Sequence, residues 1–321
     1  MDNVITIIGA AVQDLFVGPV SKDLFSKGSV PAKNMGFSCG GDALNEAVFL
    51  SRLGKKTELV TLLGEDEPSE MIFKCLKDNY ISTDKVTVSK DIVTSTNIVL
   101  VDEDGERYFI TNPESSLRKL SKEHILPYID RIGDIVSFAS IFVSSSLSIL
   151  DTTEIFKAIK EKTGRILVAD MTTAKNGETI EDLEPLLGYI DYIIPNEKEA
   201  ALLTGESDPL KSALSFIEHG AKCVVIKCGK DGCVYADGEN CANIPCYPAK
   251  AIDTTGAGDS FVSGFIYGLS EGMSIADCCR YGCAVASTVV EKMGSQSGIT
   301  NIEEVNKRFT AIKNNTLEPL V

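Results

Sequence analysis

Basic residues are scarce in this chain. Lys and Arg total 31 against 46 acidic residues, a formal net charge of -15, and nowhere do the cations gather into a stripe. Such a chain repels nucleic-acid phosphates, which excludes nucleic acid as a partner. An anionic ligand must then be held by backbone amides, a metal ion or a few placed cations. Histidine is rarer still: His124 and His219 both lie outside the run Cys228, Cys233, Cys241, Cys246, and the ten cysteines form no CxxC pair. A zinc site in that run lacks its spacing. Cys223, Cys228 and Cys283 sit inside apolar runs, where free thiols behave as small hydrophobes, and a reduced, cytoplasmic protein is expected. No apolar run approaches the roughly 20 residues of a membrane helix, so no membrane partner is expected. An acid at position 2 stands where a signal peptide would begin basic, so nothing here targets export. Two phosphate-binding signatures are missing as well. GxxxxGK[ST] does not occur, and the first strand leads into GAAVQD rather than GxGxxG, which removes the ordinary P-loop and Rossmann readings. Internal repeats and low-complexity segments are absent.

Most of the 321 residues alternate short apolar runs with amphipathic stretches: VITIIGA, NEAVFLSRLG, TELVTLLG and SEMIFKCLKDN, then DIVSFASIFVSSS, TEIFKAIKEKTG, RILVADM, DYIIPN, EKEAALLTG, SALSFIEHG and CVVIKCG. This βαβα order predicts an α/β fold in which helices cover both faces of a mostly parallel sheet. Two long helical patterns, FVSGFIYGLSEG and IADCCRYGCAVASTVVEKMG, follow DTTGAGDS. Length alone fits one enlarged domain or two. Residues 12–38 and 93–111 break the rhythm. The first stretch carries glycines, prolines and short runs such as LFVG without a clear helix; the second, VTSTNIVLVDEDGERYFIT, reads as two alternating strands about the turn DEDG. Together they predict a small β-sheet standing off a core of residues 1–11, 39–92 and 112–321. A few strands are not stable alone, so such a flap would lie over a ligand or pair with a second copy of itself.

At residues 253–261 the chain reads DTTGAGDSF, directly before a helical run. Gly256, Ala257 and Gly258 let the backbone approach a ligand and turn successive N–H groups outward, where the helix dipole adds positive character. That makes an anion site. Asp259, in the first helical turn, would face the same point as the anion, which suits a carboxylate that accepts a proton from a hydroxyl attacking a phosphate. Glycine-rich turns capped by aspartate are also common as plain structure, so this stretch alone leaves both readings open.

Taken with CGGDALNEAVFLSRLGKKTELVTLLG at 39–64, DTTGAGDSFVSGF resembles the signature segments of the ribokinase-like (PfkB) carbohydrate kinase family. Gly40, Gly41, Asn45, Ala47, Gly54 and Gly64 keep the register of the first segment, and Asp253, Gly256, Ala257, Gly258 and Asp259 that of the second. NEKEA at 196–200 resembles the family's NxxE element and IKCGKDGCVY at 226–235 its nucleotide-side hairpin, so the likeness covers nearly the whole chain. It implies a three-layer α/β/α core with a small β-sheet lid, and an ATP-dependent kinase acting on a primary hydroxyl of a small ribose- or fructose-like carbohydrate. By position, Asp259 would be the base and the amides of Gly256, Ala257 and Gly258 the anion hole. Asn196 and Glu199 would stand on the phosphate side, Glu199 reaching Mg²⁺ through water; read alone, they are a helix cap and a solvated face. Asp14, Gly40, Gly41 and Asn45 would bind sugar hydroxyls, for which a carboxylate and an amide offer oriented partners. Lys227, Gly229 and Gly232 would border ATP, with Gly282 and Ala286 closing the adenine slot, although Lys227 equally fits a surface lysine at a strand end. Many members bind a monovalent cation near the anion hole. Asp253, Thr255 and carbonyls of VEKMGSQSG at 290–298 would supply that site, and potassium activation is left open. Lids of several members pair, which implies a homodimer through the lid.

The sequence also departs from the better-known members. Asp42 and Leu44 stand within GGDALN, where ribokinases tend to carry lysine and alanine and fructokinases alanine and proline. Gln13 precedes Asp14 where ribokinases often have asparagine. These differences unsettle the sugar's identity, and the charge of Asp42 disfavours an acidic or already phosphorylated one. GGDALN also resembles the GGSALN of nucleoside-using relatives. A nucleoside kinase, with Phe16, Phe37 or Phe109 beside the base, is therefore the nearest alternative. A sugar-binding regulator without catalysis is the alternative of another class, against which the intact Gly256 to Asp259 set argues.

Overall fold

The computed structural model describes residues 4–104, 106–294, 296, 298 and 301–316. The strands among them are β1 (Ile5–Ile8), β2 (Val12–Val20), β3 (Asn34–Gly40), β4 (Thr57–Gly64), β5 (Val86–Ser89), β6 (Thr96–Asp102), β7 (Arg107–Thr111), β8 (Ile135–Ile141), β9 (Ile166–Met171), β10 (Tyr192–Ile193), β11 (Val224–Lys227), β12 (Cys233–Ala236) and β13 (Cys241–Ile244). Nine of them form one sheet in the order β13-β12-β11-β10-β9-β8-β1-β4-β5. Every pairing from β11 to β5 is parallel, and β12 and β13 extend the edge antiparallel.

The central strands are apolar on both faces because both faces are covered. Ile5, Ile7, Leu59, Leu63 and Val225 pack on a layer built from the helices Asp42–Arg52, Glu67–Asp78, Ala257–Ser270, Ile275–Val289 and Ile302–Lys313. Ile8, Val60, Leu62, Val224 and Ile226 pack on the helices Ile149–Glu161, Ile180–Leu187, Glu197–Thr204 and Pro209–Glu218. This is the three-layer, mostly parallel α/β architecture that the alternating runs predict. Helices begin where the sequence supplies caps. Asp66 accepts from the Ser69 amide at 3.1 Å, Ser148 from that of Asp151 at 3.1 Å, and Asn196 from those of Lys198 and Glu199 at 2.9 Å. Among the described residues no helix is long and apolar enough to cross a membrane.

The other four strands form a separate sheet in the order β3-β2-β6-β7, antiparallel except where β2 meets β6. Between β2 and β3 lies one helical turn, Leu24–Lys27, closed by Gly28 at a φ of 71°; four residues are too short a helix to show as periodicity. Side chains alternate across a strand, so this sheet has two unlike faces. Its register puts Asp14, Phe16, Asn97, Val99, Arg107 and Phe109 on one face. Leu15, Val17, Met35, Phe37, Ile98, Leu100, Tyr108 and Ile110 share the other.

Candidate active site

Helix Ala257–Ser270 starts after Gly256, whose φ of 76° is a left-handed conformation that suits glycine. The turn leading into it is shaped by Asp253. One carboxylate oxygen, Oδ1, accepts from the Thr255 amide at 2.8 Å and the other from the Gly294 amide at 2.7 Å. Gly256, Ala257 and Gly258 therefore open a helix N-terminus, where N–H groups have no acceptor inside the helix. Of the three amides, that of Ala257 also donates to Thr254 O within the turn at 3.2 Å.

Asp259 stands in the first turn of this helix. Asn45, buried on helix Asp42–Arg52, donates its Nδ2 to Asp259 Oδ2 at 2.7 Å, and Gln296 Nε2 donates to Asn45 Oδ1 at 3.1 Å, which fixes the amide's orientation. Burial pushes Asp259 up to about 8 and the charge of Asp42 adds to the rise, while the Asn45 hydrogen bond and Lys227 oppose it. Its neighbours share that environment. Asp42, Glu46 and Asp170 are all raised by burial first, and burial lifts Glu199 to about 7. Lys227 sits among these carboxylates, its ammonium paired with Asp170 and 3.6 Å from where a Cβ on Gly258 would be. Burial lowers its affinity for the proton, but the charges of Asp170 and Glu199 outweigh that and raise it. One ammonium thus stands among four crowded carboxyl groups, Asp170, Glu199, Asp259 and Asp42, beyond the carboxyl ends of β9 and β11, the crevice in which open α/β sheets bind ligands.

Asp14 lies on β2 and accepts from Asn97 Nδ2 at 3.0 Å. Burial raises its pKa and Asn97 opposes, with Asp42 adding its charge. Asp42 therefore acts on both Asp14 and Asp259, which places the two acids around one crevice. A Cβ on Gly40 would run into the Asp14 carboxylate, and one on Gly41, at φ 94°, would stand 2.7 Å from Ala10 O. On the opposite side, Asn196 caps its helix while Glu199 Oε2 accepts from the Asn196 amide at 2.8 Å. Asn196 also bridges the backbone of Lys227. Gly229 and Gly232, at φ 57° and 94°, bracket the turn between β11 and β12.

Two of the expected nucleotide-side residues are held by their surroundings. Lys227 is not a surface lysine, since its side chain is buried against Asp170. Gly282, expected to touch nucleotide, is buried where its helix crosses Ala257–Ser270. A Cβ there would stand 2.9 Å from Phe261 O, so packing requires this glycine. Ala286, one turn on, is half-buried. In the stretch 290–298, Val290 O accepts from the Ile252 and Asp253 amides at 2.7 and 3.1 Å, while Ser295 and Ser297 lie outside the described residues.

Asn97, Glu46, Asp170 and Arg107 join the site without having been singled out from the sequence. Glu46 is wholly buried; Ser137 donates to its Oε2 at 2.6 Å and, among the described residues, Oε1 has no partner. Arg107 Nη2 reaches Asp253 Oδ1 at 2.6 Å. Only Asp170 leaves a local signal, an acid closing the apolar run RILVAD.

Comparison with known proteins bears on this arrangement. A family model described as pfkB family carbohydrate kinase matches residues 3–302. The ribokinase of Lactococcus lactis is 26% identical over 310 residues, which cover 93% of this chain and 97% of that protein. Among solved structures, the ribokinase of Thermotoga maritima superposes with a TM-score of 0.80 at 27% identity, covering 96% of this chain and 99% of that one. Arabidopsis thaliana ribokinase, complexed with ribose and ATP, gives 0.81 at 25% identity over the same shares. The fold is the ribokinase-like one, a large mostly parallel sheet with a second small sheet, and the site belongs to a phosphotransferase with an alcohol acceptor. The chain belongs to the pfkB family of carbohydrate kinases.

Proposed function

We propose that this kinase transfers the γ-phosphate of ATP to a primary hydroxyl of a small ribose- or fructose-like carbohydrate. The observation that carries this reading is the bond from Asn45 to Asp259. It holds a carboxylate of raised proton affinity at a helix N-terminus, between Asp14, Gly40 and Gly41 on one side and Gly256, Ala257 and Gly258 on the other. Asp259 takes the hydroxyl proton as the oxygen attacks, and the amides of the turn receive charge developing on the phosphoryl group. Asp14 and Asn45 hold the sugar's other hydroxyls. Asn196, Lys227, Gly229 and Gly232 lie along the ATP phosphates, where Lys227 offsets some of their charge.

Carboxylate oxygens are hard ligands, and the excess of acids around Lys227 suits a hard divalent cation. Glu199, acting through water, and Asp170 would hold Mg²⁺, which would draw charge from the phosphates. The small sheet, residues 12–38 and 93–111, acts as a lid over a core of 1–11, 39–92 and 112–321, excluding water that would otherwise hydrolyse ATP. Its outer face leaves Met35 67% and Phe37 60% exposed, an apolar surface through which two lids pair as a homodimer. Ten free cysteines are in keeping with a reduced, cytoplasmic protein.

One observation favours a nucleoside as acceptor. Phe16 and Phe109 share the lid face that carries Asp14, whereas Phe37 faces away. ADP release with Mg-ATP and ribose, fructose or adenosine in competition separates the two acceptors. Release that depends on none of a wide panel of sugars and nucleosides would overturn the proposal and return the sugar-binding regulator.

A further inference from the structure

Arg107 leaves its sheet to make its strongest contact. The face it shares with Val99 and Phe109 otherwise has no cation among the residues named there, yet its guanidinium extends from β7 into the core and meets Asp253 at 2.6 Å. The pair is sheltered, with side chains 22% and 1% exposed. Asp253 is also the residue that shapes the turn into Gly256, through the amides of Thr255 and Gly294. Burial alone would raise its pKa; Arg107 first, then those amides, hold it below the ordinary value instead.

Asp253 is one of the residues that the family resemblance assigns to a monovalent cation, and here its carboxylate is already filled and does not fit one. Oδ1 is shared by a guanidinium and an amide, Oδ2 takes a second amide, and the Val290 carbonyl is occupied by the Ile252 and Asp253 amides. A guanidinium is always charged, weakly hydrated and matched to a carboxylate, so an alkali ion gains little by displacing it.

We propose that Arg107 supplies, from the lid, the counter-charge of the anion-hole turn, so that the turn is fully set only when the lid is down and needs no bound potassium. This rests on the kinase reading above. Arg107 acts through Asp253 and is a positioning residue: opening the lid withdraws the cation and loosens the turn, which restrains ATP hydrolysis until an acceptor has closed the site.

The test compares potassium chloride with tetramethylammonium chloride at equal ionic strength, using the wild type, Arg107→Gln and Arg107→Lys. Acceptor-dependent ADP release and the thermal midpoint are both read. The wild type should show the same kcat and midpoint in both salts. Arg107→Gln should lose roughly 10²-fold in kcat, the scale of a small misplacement of reacting groups, and recover part of it with added guanidinium or potassium. Its midpoint should rise in potassium alone, and Arg107→Lys should retain more kcat than Arg107→Gln. Potassium-specific activation or stabilisation of the wild type would overturn the proposal, as would an Arg107→Gln protein with wild-type kcat in both salts. If the wild type releases no ADP with any acceptor, the kinase reading fails, and the midpoints still decide whether the turn takes its charge from Arg107 or from potassium.

Discussion

Replacing Asp42 by asparagine should shift the pH dependence of catalysis toward acid. Asp259 is pushed from 3.8 to about 8 by burial and by the charge of Asp42, against Asn45 and Lys227. A rise of about four units, at about 1.4 kcal/mol each, makes the ionised form on the order of 5 kcal/mol less favourable than in water. Removing the Asp42 charge should lower that value. At pH 7 a base titrating near 8 is about one-tenth ionised, so kcat/KM should rise at pH 7, by at most roughly tenfold, and stay unchanged above about pH 9. The assay is coupled ADP release with the best acceptor, from about pH 5.5 to 9.5 at constant ionic strength, because kcat/KM reports groups of the free enzyme. KM must be followed separately, since Asp42 also acts on Asp14. An acid limb that stays at the wild-type midpoint, or moves to higher pH, would refute the reasoning.

Glu46 gives a stability prediction of definite sign. Its pKa is raised well above the ordinary value by burial first, then by Asp259, Asp170 and Asp42, against the Ser137 hydrogen bond. An acid that titrates higher when folded keeps its contribution below the unfolded value and loses it as pH climbs through the folded one. Glu46→Gln should therefore gain about 2–4 °C in Tm over the wild type near pH 8 and nothing near pH 4; an equal change at both would count against a raised pKa. Gly264→Ala should cost about 1–3 kcal/mol in denaturant unfolding, because its Cβ would stand 2.8 Å from Gly282 Cα and 2.9 Å from Tyr281 O, backbone that cannot yield. Phe37→Lys should turn a lid-paired dimer into a monomer by light scattering, and a mass unchanged from wild type would move the interface elsewhere.

What could be read from the sequence was local. The period of the apolar runs marks the layers, and the spacing within CGGDALN and DTTGAGD marks residues that the fold brings to one crevice, as the Asn45 to Asp259 bond shows. Contacts made across the fold left little trace. Arg107 meets Asp253 only because β7 docks above the turn, and nothing near position 107 announces that. Glu46 lies next to Asn45 in a stretch of amphipathic pattern with nothing local to mark it, yet it is wholly buried. Gly282 shows the ambiguity of small residues, since a tight helix crossing and a ligand slot both ask for glycine. Lys227 at the end of β11 is ambiguous for a similar reason: only the placement of Asp170 on β9 decides that it turns inward.

The central claim, that Asp259 removes the acceptor proton, is tested most directly with Asp259→Asn, which keeps an oxygen for Asn45 Nδ2. Calorimetric binding of ATP and acceptor should be within about threefold of wild type, with kcat lower by roughly 10²–10⁴-fold. A variant that binds both and turns over at the wild-type rate would contradict the account.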